Sequence, residues 1–451
     1  MSIVNETRAA IAFSQELYRT RLATAYHGHL HRDPVARLRL AEGRTDPYRI
    51  YAELRPHGPL VPTRLGNLAT VDHAVASTVL RSASFGVRPV DEPAGTEATF
   101  DLSFLDRNEP DHSRLRRVAA PAFRPRLVRG YQERIDQLVS GLIDQLERRG
   151  TADFVADLAA PLPIAVITQM FGIDDTVGID AQAFARYGAA LGGSLDGIHS
   201  LRHARELMEA GTALLAMFDQ LLTLRAREPR DDLLSVLAAE RGDQVRAAEL
   251  VPMCTLLLVA GFETTVNLLG NALQALLDHP DQWRLLTEQP DLAAQAVEET
   301  LRWNPPVQRT ERIAFEDQEI DGIRIRKDQW VMLLLGGTGR DPKAFPDPDR
   351  FDITRSHALE HLAFSSGIHY CLGAPLARLE ATVALQQLAT RLPQLRRNGP
   401  VTMRRTTLIR GPLHLPVAPG PPGRRRDQPV RERPARGGPG CPSPPCGPPA
   451  G

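Results

Sequence analysis

Between Val251 and Leu277 a single side chain, Glu263, carries a charge, and apolar residues fall on every face of the helix that this stretch predicts. Such a helix is enclosed on all sides, by a large protein core or by a membrane, and at about 1.5 Å per residue it spans roughly 40 Å. The membrane is the poorer fit. Glu263, Asn267, Asn271 and Gln274 interrupt the segment, and the uncharged run before Glu263 falls short of about 18 residues. The chain must therefore build a core wide enough to wrap this helix, which 451 residues with 42% hydrophobic content allow. In its middle, Ala260-Gly261-Phe262-Glu263-Thr264-Thr265 sets a glycine, an acid and two hydroxyls where packing alone selects Leu or Ala. Gly costs about 1 kcal/mol there relative to Ala, and Thr diverts backbone hydrogen bonds. A ligand lying close to the helix explains this composition. So does an acid satisfied by local hydrogen bonds in a kinked helix.

Around this helix, three-to-four-residue apolar spacing predicts further helices near 112–148, 156–171, 202–226 and 291–302. Strand signals are fewer: Leu60–Val71, Glu319–Ile325 with Asp321-Gly322 as its turn, and Trp330–Leu335. The expected fold is mainly α with a small β portion, forming one domain over residues 46–418. Residues 1–45 are expected as an N-terminal helical extension, with Val4–Ala25 an amphipathic helix. From Pro419 to Gly451, 11 Pro and 7 Gly make 18 of 33 residues structure breakers, so 419–451 is expected to be a disordered tail. Six Arg against Asp427 and Glu432 give that tail a net charge of +4, so the neutral total (54 Lys+Arg, 54 Asp+Glu) implies a body of −4. A zero net charge gives no electrostatic case for nucleic acid or for an anionic membrane. Residues 1–40 hold no apolar run of the kind an export signal or anchor needs, and four Cys are too few for a disulfide scaffold; a cytoplasmic protein is expected.

Two more motifs carry chemistry. Glu299-Thr300-Leu301-Arg302 places an acid and a guanidinium at i and i+3 on one helix face, a spacing shared with many solvated pairs. Phe364-Ser365-Ser366-Gly367-Ile368-His369-Tyr370-Cys371-Leu372-Gly373-Ala374 sets a cysteine between glycines at the start of a helix, where backbone N–H groups and the helix dipole favour a thiolate. Zinc lacks ligands here: His369 and Cys371 are two, Cys254 lies in the central helix, and Cys441 and Cys446 lie in the tail. A nucleophilic Cys371 with His369 as its base competes with a metal-ligand role, although a Cys-x-His spacing on a tight loop is awkward for that chemistry.

In this order and at these separations the motifs resemble the cytochrome P450 family, in its soluble bacterial, actinomycete-like branch, over about Asp46 to Pro416. The cysteine loop matches the family's F-G-x-G-x-H-x-C-x-G pattern except at Ser365, which replaces the first Gly. Asp111-His112-Ser113-Arg114-Leu115-Arg116, Gly339-Arg340-Asp341-Pro342 and Phe345-Pro346-Asp347-Pro348-Asp349-Arg350-Phe351 match as well. The resemblance implies a P450 fold, a single haem-enclosing domain, with Cys371 as axial thiolate on the iron of haem b. It implies that Glu263 and Thr264 form the catalytic acid–alcohol relay, and that His112, Arg116, Arg312 and His369 hold the haem propionates, with Arg309 as the competitor of Arg312. Glu299, Arg302 and Arg350 would form a buried ion network.

The activity implied is that of a haem-thiolate monooxygenase, an oxidoreductase inserting one oxygen atom from O2 into an apolar organic substrate such as a natural product. The residues implied to line the substrate pocket come from Phe85–Phe104, Leu191–Leu207, Leu258, Phe262, Pro306–Gln308 and Thr407–Leu408. Electrons would come from NAD(P)H through ferredoxin reductase and ferredoxin, because the chain has neither a dinucleotide fingerprint nor a four-Cys cluster. Arg114, Arg116, Arg117, Arg124 and Arg126 are candidates to meet an acidic ferredoxin, or else form a solvated helix face. A monomer is expected. Oxidative coupling or ring closure without oxygen insertion is a second reading, and a non-catalytic haem sensor a third.

Overall fold

The computed structural model describes residues 18–90, 101–173, 180–192, 200–240, 245–356 and 359–420. Residues 4–17 of the expected Val4–Ala25 helix lie outside them, while 18–29 are helical. From residue 421 the expected tail also lies outside them, as do 91–100 and 193–199 of the expected substrate-pocket segments.

The charge-poor stretch is one continuous helix, Ala247–Asp278, of 32 residues. Cys254, Leu258, Leu269, Leu273 and Leu276 on it are fully buried. Its neighbours are Pro161–Met170, Ala181–Gly192, Leu201–Arg227, Ala293–Trp303 and Ala374–Arg391, each giving an apolar face to the same cluster. Among the described residues two helices are long and apolar enough to cross a membrane by length and composition, but 78% of the central helix's most apolar window is buried inside the protein.

The helical run expected over 112–148 is interrupted. Asp111–Ala119 is followed by a 3-10 turn at Ala120–Phe123, then Pro125–Gly130 and Gln132–Arg149. Pro121 and Pro125 lack the N–H that a continuous helix requires, so each opens a new segment. Gly150, with φ 70°, ends the last of them in the left-handed conformation.

The β portion centres on a five-stranded sheet of β1 (Val61–Pro62), β2 (Leu68–Thr70), β3 (Phe85–Gly86), β4 (Thr310–Ala314) and β5 (Trp330–Leu333), in the order β1-β2-β5-β4-β3. β2 runs parallel to β5 and the other pairs are antiparallel. The sequence did not announce β4, because its inward-facing middle residue is Arg312, which sits opposite Val331 in the register. The Asp321-Gly322 turn forms as expected, with φ 49° and 75° between strands Gln318–Ile320 and Ile323–Ile325. β4 and the cysteine loop both reach the side on which Asp111–Ala119 lies, through the contacts described next.

Candidate active site

The cysteine loop is held by its own backbone. The Cys371 N–H donates to the Phe364 carbonyl at 2.9 Å, and Ser365 and Gly367 take left-handed φ angles of 63° and 67°. No side chain fits at Gly367, where a Cβ would stand 2.4 Å from the Leu80 carbonyl oxygen. Ser365, standing where the family pattern has Gly, adopts the left-handed angle itself, at a steric cost of about 1–2 kcal/mol. Arg81 Nε donates to Ser366 Oγ at 2.8 Å and ties the loop to the helix His73–Arg81. Cys371 precedes the helix Ala374–Arg391, and the Gly373 and Ala374 N–H groups donate to its sulfur. Burial pushes the Cys371 thiol up, while those two amides and the Arg116 and Arg378 cations pull it down. The sulfur thus has donors and positive charge ready for a thiolate once a metal cation takes the proton's place.

Beside the loop, His112 and Arg116 from the helix Asp111–Ala119, Arg312 from β4 and His369 from the loop itself come together. The His112 and His369 rings lie 4.2 Å apart, and Arg116 Nη2 donates to the Tyr370 carbonyl at 2.5 Å. Arg312 is 5% exposed and donates to Thr310 Oγ1 (3.0 Å) and the Glu311 carbonyl (2.8 Å), with no ion pair to a carboxylate among the described residues. Burial lowers Arg312 to about 10, and burial with the nearby cations lowers His369 to about 3. Burial also lowers His112, against the opposing pull of Glu109 at 3.4 Å from Nδ1; its buried Nε2 has no partner among the described residues. Two guanidinium groups and an orphaned imidazole nitrogen gathered beside a thiol suit a cofactor that carries a metal and its own carboxylates. Arg309 goes elsewhere, donating to the Thr407 carbonyl and hydroxyl at 3.0 and 3.2 Å.

The middle of the central helix supplies the third part. The helix runs unbroken through Gly261, and that residue is exposed, with no atom from outside its own stretch of helix within 4 Å of the position of a Cβ. Between Val251 and Leu277, all of them described residues, Gly261 is the one exposed position. Next to it the Thr264 hydroxyl donates to the Ala260 carbonyl at 2.7 Å. Glu263 is buried; Arg404 Nη1 lies 2.8 Å from its Oε1 and Asn267 Nδ2 donates to the same oxygen at 3.2 Å. Phe262 and Leu258, expected to line the substrate pocket, are 7% and 0% exposed within the main apolar cluster. The central helix packs against Ala374–Arg391, and Ala260, Phe364 and Leu372 pack on the edge of the same cluster.

The ion network differs from expectation in one member. Glu299 and Arg302 form a fully buried two-point pair at 2.7 and 2.8 Å, and Arg302 also donates to the Gly339, Pro348 and Arg350 carbonyls. Arg350 contributes that backbone oxygen alone; its side chain is exposed. The second guanidinium on Glu299 is that of Arg355. Sequence reading passed over Arg355, Arg378 and Arg404 because nothing local marks an arginine whose partner is far along the chain. Of the basic residues expected to meet a partner, Arg114 is bound to Asp111 and Glu249 and Arg116 turns inward, leaving Arg117, Arg124 and Arg126 exposed.

The sequence pattern of the cytochrome P450 family matches residues 200–392. The biotin biosynthesis cytochrome P450 of Bacillus subtilis is 38% identical over 361 residues, covering 78% of this chain and 90% of that protein. The 6-deoxyerythronolide B hydroxylase of Saccharopolyspora erythraea is 36% identical over 395 residues, covering 82% and 96%. Among solved structures, P450BioI in complex with hexadec-9Z-enoic acid ligated acyl carrier protein superposes with a TM-score of 0.78 at 36% identity, over 84% of this chain and 99% of that one. The chain belongs to the cytochrome P450 family. It is a bacterial P450 monooxygenase with the P450 fold and a haem-iron cofactor, acting on a small molecule with O2 and a redox partner.

Proposed function

We propose that this monooxygenase uses haem b and inserts one oxygen atom from O2 into an apolar organic substrate, as a hydroxylation or an epoxidation, with electrons from NAD(P)H through ferredoxin reductase and ferredoxin. The observation that carries the reading is the exposed Gly261 beside Glu263 and Thr264, on a helix packed against the one that follows Cys371. Bound at Cys371, haem supplies the iron chemistry that activates O2. In this reading the Cys371 sulfur would hold the haem iron, and the Gly373 and Ala374 amides would steady its charge. Arg116, Arg312, His112 and His369 hold the propionates. Thr264, whose hydroxyl rests on the Ala260 carbonyl, offers its oxygen beside the exposed Gly261, and Glu263 holds the proton that this hydroxyl relays.

The solved relative in complex with hexadec-9Z-enoic acid ligated acyl carrier protein supports an apolar, fatty-acyl kind of substrate. Exposed Arg117, Arg124 and Arg126 favour an acidic ferredoxin. We read the protein as a cytoplasmic monomer whose domain spans 46–418.

Purified protein reduced under carbon monoxide is expected to give the red-shifted Soret band of a thiolate-bound haem, and Cys371→His is expected to lose it. Turnover under labelled O2 is expected to add one labelled oxygen to the product. An unlabelled, coupled or ring-closed product would assign the chain to oxidative coupling instead. Thr264→Ala with unchanged behaviour would point to a haem sensor.

A further inference from the structure

Away from the residues around Cys371, a cavity of about 380 Å³ lies between the helical stretch 18–29, the turn that joins β1 to β2, and the first residue of β5. Arg19 and Thr24 line it from the helix, Leu65 and Asn67 from the turn, Trp330 from the strand, and Arg39 from the segment between helix and sheet. None of these residues belongs to the site built on Cys371. The volume falls within the range of small-molecule sites, about 300–1,000 Å³.

The polar groups on its wall are donors. No Asp or Glu lines the cavity among the described residues, so both of its charged side chains, Arg19 and Arg39, are cations. The half-buried Arg39 guanidinium makes no hydrogen bond and no ion pair among the described residues. Asn67 Oδ1 accepts from the Thr63 hydroxyl, which leaves the Nδ2 end of that amide to donate. The Trp330 indole N–H can only donate, and Thr24, 7% exposed, has a hydroxyl without a partner among the described residues.

Charges around Arg39 leave it short of a counter-ion. Burial lowers Arg39 from its ordinary value and Arg309 adds to the fall, while Glu311 and Asp33 oppose it. Neither acid lines the cavity, and Asp33 is already committed, accepting from the main-chain N–H groups of Ala36 (2.8 Å) and Arg64 (2.7 Å). A partly desolvated guanidinium in that setting gains from an anion brought close.

We propose that this cavity binds an organic anion, its carboxylate on Arg39 and its apolar body against Trp330 and Leu65. An inorganic ion would leave most of the volume and the apolar wall unused; a carboxylate on a short acyl chain uses both. Guanidinium and carboxylate pair through two parallel N–H···O bonds, and Asn67, Thr24 and Trp330 supply further donors for the same oxygens. The site holds its anion reversibly, with no bond made or broken. It stands apart from the chemistry proposed at Cys371 and does not rest on it.

Calorimetric titration of the haem-loaded protein with octanoate tests this. Saturable binding is expected, weaker by about tenfold or more in Arg39→Met, and octanol, the same chain without the charge, is expected to bind the wild type about tenfold or more less tightly than octanoate. Octanoate reaching the cofactor is read separately by the Soret band, whose response is expected to be the same in wild type and variant. No octanoate binding, equal octanoate affinity in wild type and Arg39→Met, octanol binding as well as octanoate, or inorganic phosphate binding as tightly as octanoate would each overturn the proposal. In a crystal soaked with octanoate, the carboxylate is expected within hydrogen-bond distance of the Arg39 guanidinium; residues 1–17 seated in the cavity instead would overturn it. If Arg39→Met does not fold, the octanol comparison and the crystal decide.

Discussion

Arg355 closes the buried network at Glu299: its Nε lies 3.2 Å from Glu299 Oε1, while its Nη2 donates to the Asp347 and Arg350 carbonyls. Arg350 is held by its backbone, and its own guanidinium is 64% exposed and 3.6 Å from Asp352. Arg355→Ala is therefore expected to lower stability by about 1–3 kcal/mol, since it leaves a buried carboxylate short of one partner. Arg350→Ala is expected to stay within about 0.5 kcal/mol. Denaturant unfolding of the two variants separates them, and equal losses would contradict the assignment.

Ser365 and Gly367 share a left-handed backbone but differ in what a side chain meets. Ser365→Gly is expected to stabilise by roughly 0.5–1 kcal/mol, the relieved angle outweighing the entropy of a glycine. Gly367→Ala is expected to destabilise, because its Cβ would press on the Leu80 carbonyl oxygen at 2.4 Å. Calorimetric melting of the two variants should move in opposite directions.

Glu380, buried in the helix Ala374–Arg391, is raised by burial from its ordinary 4.5 to about 8. Between those two values the unfolded chain releases this proton while the folded protein keeps it, so its contribution to stability falls as pH rises. The slope is about 1.4 kcal/mol per pH unit where the difference in protonation is complete. Glu380→Gln removes that slope. Relative to the wild type, the variant is expected to gain stability steadily from about pH 5 to pH 8, followed by denaturant titration at each pH; a constant difference would refute the buried neutral acid.

Arg312 holds a buried charge whose carboxylate partner, in the proposed reading, arrives with the haem. Without haem, Arg312→Met is expected to be neutral or to stabilise by about 1 kcal/mol, since a buried cation without a counter-charge is unfavourable. With haem, the same change is expected to weaken cofactor retention about 10–100-fold. Apo-protein melting and haem transfer to a competing acceptor read the two effects separately.

Exposed Arg117, Arg124 and Arg126 predict a salt-sensitive encounter with an acidic ferredoxin. Raising salt from about 0.05 to 0.5 M is expected to slow first-electron transfer several-fold, and Arg124→Glu is expected to slow it at low salt and flatten the salt dependence. A rate indifferent to salt would remove electrostatics from the docking.

Much of the fold was legible because its signals are local. The central helix, the helix at 291–302 and the Asp321-Gly322 turn appear where period and turn chemistry put them. β4 did not, because its burial is decided by strands distant in sequence and its inward residue is a charged Arg312. The break in the run expected over 112–148 was available in Pro121 and Pro125, whose missing N–H groups outweigh an apolar period.

For the site, sequence by itself determined the chemical types: a cysteine between glycines, an acid next to a hydroxyl in a buried helix, and a histidine and arginine four apart. Those features depend on neighbours within one turn or one loop. Tertiary structure alone decided which cations converge, choosing Arg312 over Arg309 and Arg355 over Arg350, and which partner Glu263 receives in Arg404. An arginine's long side chain is indifferent to its own stretch of sequence. Its place is set by the carboxylate or carbonyl that folding brings within reach, here across 141 positions from Glu263 to Arg404 and 254 from Arg116 to Tyr370.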